Sequence, residues 1–116
     1  MDISRFATTG TVDFKPVHPV TGEGIDDIVL TIVSVESRPK ATHTQLDIMN
    51  TPTAQMNRRA ASECLVGWSG IELDGKVLEC SEDNRVKLFD TCPWVVNQIC
   101  AKARDLSNFL PKDEEN

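Results

Sequence analysis

The sequence holds little of what most functional classes require. It has two histidines in 116 residues, 5% aromatic residues, and 12 Lys+Arg against 18 Asp+Glu for a net charge of −6. That charge is spread evenly, −2 in each of residues 1–40, 41–80 and 81–116. No basic face stands out, and nucleic-acid binding normally needs one to neutralise phosphates. An anionic membrane surface is disfavoured on the same ground. No apolar run approaches the roughly 18–20 residues of a membrane span. The opening Met1-Asp2-Ile3-Ser4-Arg5 lacks the basic region and long apolar stretch of a signal peptide, so a cytoplasmic protein is expected. The four cysteines (Cys64, Cys80, Cys92 and Cys100) include no Cys-x-x-Cys pair. Zinc sites usually use such pairs to converge two ligands on one ion, so reduced, partly buried thiols are expected instead.

What is present suits one folded domain. The chain is 40% hydrophobic and 26% charged, and its length is close to the commonest domain size. There is no internal repeat and no low-complexity segment. Three zones follow one another: a β-hairpin region over 1–40, a helical region over 41–110 and a flexible acidic tail over 111–116.

In the first zone, residues 11–17 alternate, with Val12 and Phe14 on one face, and Pro16 marks a strand end or an edge. Residues 18–24 are rich in turn formers, and Gly22 can take positive φ at little cost. The run from Ile25 to Val35 is the strongest strand signal, with Ile28, Leu30 and Ile32 on one face and Val29, Thr31 and Val33 on the other. The two runs read as an antiparallel hairpin with a long loop. Because the second strand is apolar on both faces, it is also a candidate for pairing with another chain.

Further along, Leu46, Met49, Met56, Ala60, Cys64 and Trp68 approximate helical spacing. Thr51 as N-cap and Pro52 at the first position predict a main helix from about Pro52 to Val66, ended by Gly67 and Gly70. Asp74-Gly75 signals a tight hairpin. Ser81 is a good N-cap, followed by Glu82 and Asp83 at the positive end of the helix dipole. Pro93 opens a last helix, of about four turns, with an apolar stripe through Val95, Ile99, Leu106 and Phe109.

A search for chemistry yields structural readings. His18 and His43 stand far apart in loop-like or helix-start contexts. Asp26 and Asp27 are strand neighbours whose side chains point to opposite faces. The acidic residues Asp74, Glu79, Glu82 and Asp83 lack the alternating ligands and closing Glu of a calcium loop. Gly22-Glu23-Gly24 lacks the third glycine and the strand-to-helix setting of a dinucleotide loop. No catalytic residue, cofactor or metal site is expected. Trp68 and Trp94 either pack in the core or, if exposed, anchor an interface.

One ordered series is distinctive: Leu65-Val66-Gly67-Trp68-Ser69-Gly70-Ile71-Glu72, Asp74-Gly75-Lys76, Ser81-Glu82-Asp83-Asn84, Pro93-Trp94-Val95 and Ser107-Asn108-Phe109-Leu110-Pro111-Lys112. It resembles the tail assembly chaperones encoded in the tail-gene clusters of long-tailed bacteriophages. Their pattern is a helix ending in a Gly-Trp-x-Gly turn, a short Asp-Gly hairpin, a Ser-Pro-Glu-Asn helix start and a closing Asn-Phe-Leu signature. This chain departs from it with Glu82-Asp83 in place of Pro-Glu, and with its four cysteines.

The resemblance implies a fold signature in Gly67, Trp68, Gly70, Asp74, Gly75, Ser81, Asn84, Pro93, Trp94, Asn108 and Phe109. It also implies non-enzymatic work in the host cytoplasm during viral tail morphogenesis. Such proteins coat and solubilise the tape measure protein, help recruit tail tube subunits, and often have a frameshifted extended form. The alternative is a structural minor tail or tail completion protein retained in the virion. Leu46, Met49 and Met56 are the candidate interaction residues, facing the client or a sister subunit by helix-in-groove contact. The bland alternative is that both methionines fill the core. The expected fold is α+β: an N-terminal antiparallel β-hairpin followed by a small bundle of three to four helices.

Overall fold

The computed structural model describes residues 10–35 and 53–110. Its centre is the strand that the sequence signals most strongly. Strand β2 (Val29–Ile32) removes Leu30 and Ile32 completely from solvent and leaves Val29 and Thr31 half-covered on the other face, as a period of two requires. Strand β1 (Val12–Phe14) pairs with it antiparallel, Val12 opposite Ile32 and Phe14 opposite Leu30. The connecting loop is closed by a Val17–Gly24 bridge and by the His18 N–H donating to the Glu23 carbonyl at 2.8 Å.

Helix α1 (Thr53–Cys64) runs without a linker into strand β3 (Leu65–Ser69), which pairs with the other edge of β2. The sheet order is β1-β2-β3. A two-stranded hairpin, β4 (Glu72–Leu73) and β5 (Lys76–Val77), follows. Helix α2 (Glu82–Thr91), helix α3 (Trp94–Arg104) and a 3₁₀ turn at Leu106–Asn108 complete the α+β architecture. The sheet contributes Leu30, Ile32 and Leu65 to the core. Facing them are Ala61 and Cys64 of α1, Phe89 of α2, and Val95, Ile99 and Ala103 of α3.

Two element readings are corrected. The segment from Leu65 to Ser69 is a strand, not the end of the helix. Its Val66 and Trp68 favour extended backbone, and the open edge of β2 supplies backbone partners that a further helical turn could not use. The junction is closed by the Val33 N–H, which donates to the Cys64 carbonyl at 2.9 Å and so satisfies a helix-end acceptor. Gly67 therefore lies mid-strand opposite Thr31, and Val66 occupies a bulge between the Thr31 and Ile32 pairings. It follows that β2 is paired on both edges within the chain and offers no edge for self-association.

The last helix is shorter than its apolar stripe. Helix α3 stops at Arg104, because the Asp105 carboxylate accepts from the N–H and the hydroxyl of Ser107 at 3.1 and 2.6 Å. That local turn competes with helical hydrogen bonding. Phe109 still reaches the core, through the 3₁₀ turn. The readings on Leu46, Met49, Thr51, Pro52, His43 and the acidic tail lie outside the described residues.

Candidate interaction surface

The signature residues form one hydrogen-bonded unit that links the sheet to α2. Asp74 and Gly75 both take positive φ (52° and 80°), the combination of a type I′ hairpin turn. The Leu78 N–H donates to the Ile71 carbonyl at 2.9 Å, and the Trp68 indole N–H donates to the Leu78 carbonyl at 2.8 Å. Trp68 is thus a half-buried strut between β3 and the hairpin. Ser81 caps α2 by accepting from the Asn84 N–H at 3.2 Å, and the Asn84 amide donates to the Glu79 carbonyl at 2.8 Å. Gly70, at φ +80°, is pressed against the Asp27 backbone.

At the other end of the chain, Pro93 precedes the first turn of α3, and Trp94 packs half-buried against the core. The Asn108 amide donates to the Lys102 carbonyl at 3.1 Å. These residues build the fold, and the Trp68 indole, the Ser81 hydroxyl and the Asn84 and Asn108 amides hydrogen-bond within it.

Of the three candidate interaction residues, Met56 is described. It lies half-buried on α1, with its thioether 3.9 Å from Nη1 of Arg59. Helices α1 and α2 enclose a solvent-open groove of about 550 Å³, whose lining does not include Met56. Ala54, Arg58, Arg59 and Ser62 form one wall, and Val86 and Phe89 form the other. The Arg58 guanidinium pairs with Asp90 at 2.8 Å and lies over the Phe89 ring, 5.9 Å from its centroid. Sequence periodicity located the helix but not this groove. Val86 and Phe89 come from a separate helix that only folding places alongside α1.

A second cleft, of about 310 Å³, lies between the start of β2, the hairpin and α2. Ile25, Ile28, Ile71, Leu73 and Leu78 give it mostly apolar walls, Asp27, Glu72, Lys87 and Thr91 also line it, and Cys92 stands at one side. Burial pushes the Cys92 thiol above its ordinary value, so it stays protonated at neutral pH, where only a thiolate would be nucleophilic.

Other polar groups are engaged structurally. Nδ1 of His18 accepts from the Val20 and Thr21 N–H groups at 3.1 and 3.2 Å. All four cysteines are thiols, with Cys64 and Cys100 buried. Hydrogen bonds from Ser107 hold the Asp105 carboxyl below the usual carboxylate range. Among the described residues, no three His, Cys, Asp or Glu side chains cluster as metal ligands, and no helix is long and apolar enough to cross a membrane. Compared with protein-family models, curated proteins and solved structures, the chain gives no match.

Proposed function

We propose that this chain is a tail assembly chaperone of a long-tailed bacteriophage. In this reading it is a non-enzymatic protein of the host cytoplasm that binds the tape measure protein, keeps it soluble and helps recruit tail tube subunits. The motif series from Gly67 to Asn84 suggests the family. The observation that carries a binding role is the groove between α1 and α2. It is open to solvent, and Val86 in its wall is 49% exposed. Helix-in-groove recognition needs such a trough of apolar surface between two fixed ridges. A tape measure protein before assembly displays long amphipathic helices that would otherwise aggregate.

The test is co-expression with the tape measure protein of the same gene cluster, followed by size-exclusion chromatography with light scattering. Co-elution of a soluble client with several copies of this chain is the expected result. A client that precipitates while this chain elutes alone would refute the reading. Mass spectrometry of purified virions would then look for the chain as a retained tail component.

A further inference from the structure

We propose that the groove between α1 and α2 docks an acidic amphipathic helix of a partner protein, with Arg59 as the residue that receives its carboxylates. This rests on the helix-binding role proposed above and adds the charge of the helix bound.

The shape points to a helix. Ala54, Arg58 and Ser62 stand at i, i+4 and i+8 on α1, so they form a single ridge about 12 Å long at 1.5 Å per residue. Ridges of this spacing pack against the grooves of another helix. The small side chains of Ala54 and Ser62 leave room at the two ends. Across the groove, Phe89 is already covered, at 2% exposure with the Arg58 guanidinium over its ring, while half of Val86 remains uncovered. Two turns of an apolar helix face would complete this packing.

The charge points to acid. The chain carries a net charge of −6, yet both ionic residues lining this groove are arginines, and among the described residues no Asp or Glu lines it. Arg58 is already engaged with Asp90 and Phe89. Arg59 differs. Arg59 is a half-buried residue, and its hydrogen-bond contact among the described residues is the Met56 sulfur at 3.9 Å. A thioether is a weak acceptor, and a guanidinium presents five N–H donors in a planar fork. A carboxylate is the group that fits this fork in bidentate fashion. A basic helix on the same face would set like charges together at close range.

The experiment uses the ¹⁵N-labelled full chain and two synthetic peptides of about 20 residues. Both have a Leu/Ala face; one is flanked by Glu and the other by Lys. The acidic peptide should shift the signals of Arg59, Ser62, Val86 and Phe89, and the basic peptide should not. Arg59→Glu should weaken acidic-peptide binding at least about tenfold, the scale of one lost charge-assisted pair. Raising salt from about 0.05 to 0.5 M should weaken it as well. Should Arg59→Glu fail to fold by circular dichroism, Val86→Glu tests the same groove from its exposed wall.

Equal binding of both peptides, shifts outside the groove, or occupation of the groove by a second copy of the chain would overturn the proposal. The two proposals fail separately. Tape measure binding that survives Arg59→Glu removes the groove and keeps the client. Acidic-peptide docking without tape measure binding removes the client and keeps the groove.

Discussion

Gly70 is the position where one added methyl group should do most harm. It holds φ at +80°, where an L side chain costs about 1–2 kcal/mol. A Cβ there would also fall deep inside the Asp27 carbonyl oxygen and 2.9 Å from its carbon. Both are backbone atoms at the approach to β2, so no side-chain rotation relieves the overlap. Displacing that segment adds about 1–3 kcal/mol, the usual scale of overpacking. Gly70→Ala should therefore cost about 2–5 kcal/mol, against a total stability on the order of 5–15 kcal/mol.

Gly75 provides the control. Its φ is also +80°, but nothing lies within 4 Å of its added Cβ. Gly75→Ala should cost only the conformational part, about 1–2 kcal/mol. Urea unfolding followed by the fluorescence of Trp68 and Trp94 measures both. In thermal unfolding, the Gly70 variant should melt roughly 5–10 °C below the Gly75 variant. Equal stability of the two, within about 0.5 kcal/mol, would refute the claim that contact with Asp27 makes glycine obligatory at position 70.

Three further outcomes are expected. Ser81→Ala removes the α2 cap and should lower stability by about 1 kcal/mol in denaturant unfolding, whereas Ser81→Asp should retain most of it. Trp68→Phe deletes the indole donor to the Leu78 carbonyl and should cost about 1–2 kcal/mol, with faster amide exchange in the β4–β5 hairpin; unchanged exchange would count against the strut. Asp105 has its carboxyl held below the usual range by Ser107, so its stabilising contribution is present above the ordinary carboxylate range and is lost as pH falls through the lowered value. In an NMR titration, Ser107→Ala removes the hydroxyl bond and keeps the backbone N–H bond, so it should raise the Asp105 midpoint part of the way to that range; an unmoved midpoint would show that the Ser107 hydroxyl is not a cause.

Much of the fold was legible because its signals are local. The alternation around Leu30 and Ile32, the positive φ demanded at Asp74-Gly75, and the capping chemistry of Ser81 act within a few residues, and each element formed where those rules place it. The helical stripe of α3 was legible in the same way, although the local Asp105–Ser107 turn ended it early. The resemblance carried by Gly67, Trp68 and Gly70 marked that segment as structural, but it described a turn where the chain forms a strand.

Tertiary structure decided the rest. Leu65 to Ser69 became extended because β2 had an open edge to fill, a partner 36 residues away in the pairing of Thr31 with Gly67. Periodicity within one segment does not register such a partner. The groove is non-local in the same sense. Arg59 and Val86 belong to different helices, and their shared surface exists only after α1 and α2 pack on the core. Sequence alone thus determined most of the elements and where they begin, strand β3 excepted. Which strand closes the sheet, and which charges meet at the surface, depended on long-range packing, because those choices are set by partners that no local window contains.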